Sequence, residues 1–169
     1  MRWYVFLPLA MLAACDSQPD AAAVGETAEA LDDQAVVAGI LPDPENLSLA
    51  GQFETRSELG TDKFCATGSG SNFDIGVLAV FGPESKCEAQ GSAKLDEEQL
   101  RISFRGEDSC DFNAEYDGVA VRFPGAMPEG CSSYCTKRAS FAGTSYFMIA
   151  QGDEDAQRTL GRDIERLCE

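Results

Sequence analysis

KCEAQGSAKLDEEQLRISF, Lys86 to Phe104, reads as two strands and the turn between them. In its first half Cys87, Ala89, Gly91, Ala93 and Leu95 alternate with Lys86, Glu88, Gln90, Ser92 and Lys94. A repeat of two puts the small and apolar set on one face of a strand and the polar set on the other. Asp96 to Glu98 turns the chain, and Leu100, Ile102 and Phe104 then alternate with Arg101, Ser103 and Arg105. A link this short has no room for a crossover helix, so the two strands are antiparallel.

The same pattern extends in both directions. Cys110, Phe112, Ala114 and Tyr116 alternate with Asp111, Asn113, Glu115 and Asp117. Asp117-Gly118 predicts a two-residue type I′ turn, with positive φ at both positions, before Val119, Val121 and Phe123 return. Upstream, Phe73 to Phe81 is apolar on both sides, which predicts a central strand. Gln52 to Arg56 opens the sheet and Ser140 to Ala150 ends it. At the C-terminus, Asp153 is a candidate helix cap, with Ala156, Leu160, Ile164 and Leu167 on one face and Glu154 placed to pair with Arg158. Gly161 weakens such a helix by about 1 kcal/mol relative to Ala, so it needs the sheet to lean on. The expected fold is mainly β: an antiparallel β-barrel or sandwich of six to eight strands over residues 48–169, with a C-terminal α-helix closing one end or edge.

The beginning of the chain is of another kind. MRWYVFLPLAMLAACDSQPD carries one charge, Arg2, before Asp16, and an apolar run from Val5 to Ala14. That run is too short to span a bilayer, which takes about 20 residues, and suits a signal-peptide core. Leu12-Ala13-Ala14-Cys15 resembles the lipobox of bacterial lipoprotein precursors. The resemblance covers residues 1–15. It implies diacylglycerol on the Cys15 thiol, cleavage between Ala14 and Cys15, and acylation of the new amino terminus. Two or three acyl chains hold a protein stably, whereas one does so only marginally. The implied location is the cell envelope, lipid-anchored on the periplasmic face of the inner or outer membrane. In enteric-type sorting, an aspartate at the position of Asp16 resembles an inner-membrane retention signal.

Residues 15–47 read as a lipidated cysteine and an acidic, flexible tether. Asp16 to Leu47 holds 8 acids and no base, and includes Pro19, Pro42 and Pro44. It buries too little to offset its ordering entropy, and as a coil spans on the order of 30 Å. Glu26 to Val37 can form a transient helix, and Ala35 to Leu41 is apolar enough to lean on the domain.

With Cys15 assigned to lipid, Cys65, Cys87, Cys110, Cys131, Cys135 and Cys168 are left. An even count in an exported domain predicts three disulfides among fifteen connectivities. Cys87 and Cys110 share the inward face of strands one neighbour apart, which suggests a pair, and Cys168 is placed to pin the C-terminal element to the body. Zinc is the rival use of the Cys131–Cys135 spacing, but the chain has no histidine, and export favours oxidation; no metal site is expected.

The absence of histidine also removes Ser-His-Asp and Cys-His catalysis. Asp111, Asn113, Glu115 and Asp117 read as the solvated face of a strand. Asp153 to Asp155 lacks the glycine and terminal glutamate of a calcium loop. Gly68 to Asn72 reads as a hairpin loop, since a strand follows it and no lysine does. No catalysis and no cofactor are expected. The chain carries a net charge of −16, which disfavours nucleic acid and suits a basic envelope or secreted protein.

One loop stands out. Phe123 to Gly130 is apolar and stiffened by proline, and rigid loops lose less entropy on docking. Phe123, Pro124, Met127 and Pro128 are therefore the candidate binding loop, or else a lid over a barrel mouth. Leu49-Ala50-Gly51-Gln52-Phe53 resembles the opening strand of some barrel inhibitors and lipocalins, where tryptophan stands at the position of Phe53. Small disulfide-bonded β-barrel lipoproteins include inhibitors of lysozymes and secreted proteases. The expected function is a membrane-anchored, non-enzymatic binding or structural module. The alternatives are a lysozyme or protease inhibitor and a small-ligand or lipid carrier.

Overall fold

The computed structural model describes residues 30–37, 43, 46–106 and 108–169. The signal-like segment with Ala14 and Cys15, and most of the acidic tether, lie outside the described residues. The chain divides into two units, Met1–Leu41 and Pro42–Glu169. In the first, residues 30–37 are helical, with Leu31 and Val37 exposed. The second unit holds the β domain.

That domain is a closed antiparallel barrel of eight strands: β1(Gly51–Ser57), β2(Gly60–Ser69), β3(Asn72–Val80), β4(Lys86–Asp96), β5(Gln99–Phe104), β6(Asp111–Tyr116), β7(Ala120–Arg122) and β8(Ser145–Gln151). Each strand pairs with its sequence neighbour, and β8 closes on β1 with a register shift between Gln52 and Phe53. The opening stretch forms β4 and β5 as its pattern predicts, with Leu95 opposite Leu100 and Asp96 opposite Gln99. Closure removes the sheet edges that would otherwise pair with other chains.

Alternation decides what fills the barrel. Phe53, Phe64, Ile75, Val77, Ala89, Leu100, Ile102, Phe112, Tyr116 and Tyr146 all point inward and form one packed core. The interior is crowded with rings. Phe53 meets Phe64 edge-on at 5.4 Å, and Phe64 meets Tyr146 at 5.8 Å.

β3 is apolar on both sides because both sides are covered. Phe73, Ile75 and Val77 face the core, while Leu78 and Val80 face outward into a second cluster with Cys65, Ala156, Leu167 and Cys168. The C-terminal segment therefore packs on the outer wall of β2, β3 and β4. Its helix begins where expected but is a single turn, Asp153–Ala156. Gly152 is the cap, and the Asp153 carboxylate instead accepts the Gly68 N–H at 3.1 Å. Arg158 lies 3.8 Å from Glu154, the expected pairing. Beyond it the chain is extended or turning. Leu160, expected on the buried face, is 52% exposed, and Leu167 is 1% exposed. The reason is tertiary: the wall uses this segment's own backbone groups, which a continuous helix would have kept for itself.

Two local expectations also shift. In the β6–β7 turn Tyr116 pairs with Val121, so Gly118 and Val119 are the central residues, and only Gly118 has positive φ, 87°. Asp117 accepts the Val119 and Ala120 amides and pairs with Arg122. β2, which the sequence reading did not single out, supplies Phe64 and Ala66 to the core.

Candidate functional site

An up-and-down barrel has two ends. The incoming chain reaches β1 at one, together with the β2–β3, β4–β5 and β6–β7 turns. Tyr116 marks it: its hydroxyl donates to Ser48 O at 2.8 Å and Gly118 O at 3.2 Å. The long β7–β8 connection, residues 123–144, lies at the opposite end with the β1–β2, β3–β4 and β5–β6 connections.

That connection is a lid. Its two ends stay paired, with Phe123 N–H donating to Thr144 O and Gly143 N–H to Pro124 O, both at 2.9 Å. Between them a 3-10 helix, Glu129–Tyr134, carries Cys131 on its buried side. Cys131 is bonded to Cys110 and Cys135 to Cys87. The suggested Cys87–Cys110 pair is thus not formed. β5 separates their strands, so they stand at least two strand spacings, about 9.6 Å, apart, beyond the roughly 7 Å a disulfide can bridge. The lid brings a second cysteine to each. Thr136 completes the attachment, exchanging hydrogen bonds with both backbone groups of Lys86. The third bridge, Cys65–Cys168, pins the C-terminal segment to β2 as expected of Cys168.

The candidate loop residues take different places. Phe123 is 5% exposed and sits among Phe112 at 4.9 Å, Tyr146 at 5.3 Å and Phe141 at 6.1 Å. It is a plug of the barrel. Met127 is half-buried against the same core and Pro124 is half-buried, while Pro128 is exposed. Met127, Pro128, Glu129, Ser132, Ala139 and Phe141 line a shallow groove of about 220 Å³ in the lid. That is room for one large side chain.

At the other end a broad open groove of about 930 Å³ runs past Leu47, Ser48, Leu95, Glu97, Glu98 and Gln99. Asp111, Asn113, Glu115 and Asp117 face outward, as their alternation predicts. Ser103 and Ser109 hydroxyls hold the Asp111 carboxyl below its ordinary range. Burial pulls the Asp117 carboxyl up, but Arg122 and the Ala120 and Val119 amides outweigh it and leave it lowered. Both shifts come from structural hydrogen bonds. Among the described residues, no group of three or more His, Cys, Asp or Glu could hold a metal ion, and no helix is long and apolar enough to cross a membrane.

Sequence reasoning passed over two carboxylates. Asp62 points into the barrel beside Phe64, accepts the Val80 N–H at 2.7 Å, and burial raises its pKa against that hydrogen bond. Glu88 lies on the outer wall under the C-terminal segment. Its place in a polar stripe was the only signal, and that stripe reads as solvated. Compared with protein-family models, curated proteins and solved structures, the chain matches none of them.

Proposed function

We propose that this chain is an envelope lipoprotein, anchored through Cys15, whose barrel is a non-enzymatic binding module that meets its partner through the lid. The observation that carries the reading is the lid's construction. Two disulfides and an aromatic plug brace it at the end away from the incoming chain. A surface so fixed loses little entropy when it docks. The lid carries exposed Lys137 and Arg138 as well as exposed Glu129, so a mixed rather than purely basic partner suits it. The packed core favours this reading over a carrier, which needs a vacant interior.

A lysozyme or secreted protease is one class of partner, and inhibition is then the activity. The test uses the oxidised full chain with a photo-crosslinking residue in place of Pro128 or, separately, Glu97, mixed with lysozymes, secreted proteases and envelope membranes. Saturable, salt-sensitive loss of one hydrolase's activity, with adducts from position 128, establishes the inhibitor. Adducts from position 128 with an envelope protein and no loss of activity establish a structural module. Adducts from position 97 alone refute the lid, and a copurified lipid in the barrel refutes the whole reading. Cys15→Ser should abolish fatty-acid incorporation; label retained in that variant removes the anchor.

A further inference from the structure

After its helical turn the C-terminal segment runs along the outer wall to the β3–β4 loop. There Arg162 Nη1 donates to Gly82 O at 3.0 Å and Pro83 O at 3.2 Å. It then doubles back, with Leu160 bridged to Arg166, to lay Leu167 on Gly76 and bond Cys168 to Cys65. The wall is shaped to receive it. A Cβ at Gly76 would collide with the Leu167 carbonyl, and one at Gly161 with the Glu88 carboxylate. Gln90 donates to the carbonyls of Arg166 and Leu167, each at 3.0 Å.

The centre of the attachment is Glu88. Its Oε1 accepts the Arg162 N–H at 2.7 Å and the Ile164 N–H at 3.3 Å, and its Oε2 accepts the Asp163 N–H at 2.9 Å. Lys86 Nζ donates to the same Oε2 at 2.7 Å and lies 2.6 Å from Asp163. Three successive amides on one carboxylate that is 5% exposed form a charge-assisted anchor. No barrel strand extends past Gln151, so the segment can leave without breaking any barrel ladder. Beneath it lie Leu78, Val80 and the buried Cys65–Cys168 bond.

We propose that residues 157–169 are a latch closed by Glu88: its release uncovers the apolar wall at Leu78 and Val80 and admits a dithiol to the Cys65–Cys168 bond while the barrel stays closed. The thiolate of the dithiol attacks one sulfur and the other leaves as a thiolate that takes a proton. The second thiol of the reductant then resolves the mixed disulfide. Two cysteine thiols result and the reductant is oxidised to its disulfide. The latch thus protects the bond, and the bond in turn keeps an opened latch tethered.

Glu88→Gln puts an amide NH₂ against backbone donors, and Gly161→Ala drives a methyl into the carboxylate. The oxidised full chain and both variants are compared by hydrogen exchange and by the rate at which dithiothreitol reduces each disulfide. Exchange at Arg162 to Ile164 and reduction of Cys65–Cys168 should rise at least about tenfold, equivalent to about 1.4 kcal/mol. The amides of β5 and β6 and the Cys110–Cys131 bond should stay within roughly twofold by the same scale. Unchanged rates in Glu88→Gln overturn the proposal, as does a rise shared equally by latch and barrel. If Glu88→Gln does not fold, Gly161→Ala decides by the same readings.

Discussion

Tyr146→Phe should stabilise the protein, and Tyr116→Phe should destabilise it. Both rings are buried in the barrel, but their hydroxyls differ. Among the described residues the Tyr146 hydroxyl is buried with no partner in good hydrogen-bond geometry; the Thr144 hydroxyl is near enough to favour the phenolate but does not complete a bond. Thr144, its neighbour, donates its own hydroxyl to Phe141 O at 2.8 Å. The Tyr116 hydroxyl reaches Ser48 O and Gly118 O. A buried unsatisfied polar group costs about 1–3 kcal/mol, and a typical satisfied hydrogen bond contributes about 0.5–1.5 kcal/mol net. Removing the first oxygen should therefore add about 1 kcal/mol and removing the second should subtract about 1 kcal/mol, because each change keeps the ring and its packing. For a domain of this size, 1 kcal/mol moves Tm by about 3–5 °C. Urea unfolding of the oxidised protein, followed by circular dichroism and tyrosine fluorescence, measures both variants, and coincident transitions license the two-state treatment. If Tyr146→Phe loses as much stability as Tyr116→Phe, the Tyr146 hydroxyl has a partner in solution and the reasoning fails. Burial also pushes both phenols well above their ordinary pKa, so neither should ionise in an alkaline absorbance titration before the barrel unfolds.

Other substitutions probe the lid and the half-buried Asp62. Phe123→Ala removes a plug ringed by aromatics and should cost about 3–5 kcal/mol in urea unfolding; a surface-like cost below about 1 kcal/mol would make Phe123 a docking residue. Replacing both Cys110 and Cys131 by Ala frees a loop spanning 21 residues and should cost about 3 kcal/mol, with barrel circular dichroism retained. Loss of the β spectrum would make the bond a requirement of the barrel itself. Asp62 has a raised pKa in the folded state, so that state binds more protons than the unfolded chain between the ordinary aspartate value and the raised one. Stability should fall as pH rises through that window and stay lower above it. Asp62→Asn, whose side-chain oxygen can still accept the Val80 N–H, should flatten this slope in stability measured against pH, and an unchanged slope would assign it to another group.

The candidate lid was visible in the sequence as a proline-stiffened apolar loop, but its division of labour was not. Phe123 and Pro128 belong to the same apolar, proline-stiffened run, and only the fold shows that one plugs the barrel while the other meets solvent. Glu88 was misplaced for a similar reason. An alternating strand assigns a side chain to a face, and the outer face of β4 is solvent only where no other segment lies over it.

Period two along Lys86 to Phe104 was enough to determine strand, turn and inward face, because side-chain alternation is a property of the extended backbone and depends on nothing distant. The short links then imposed antiparallel neighbours, and the two-sided apolar run of β3 announced that something would cover its outer wall. What covers it, which cysteines meet and where the terminal helix stops were decided only by tertiary structure. Cys87 and Cys110 share a face but stand too far apart, so their partners had to come from the lid across the barrel end. The Ala156 to Leu167 repeat fits a helix by itself, yet Glu88, Gln90 and Cys65 bind that segment's backbone and its cysteine along the wall instead. Local pattern reports what a segment prefers alone. Closure of the barrel set the distances at which those preferences were kept or overridden.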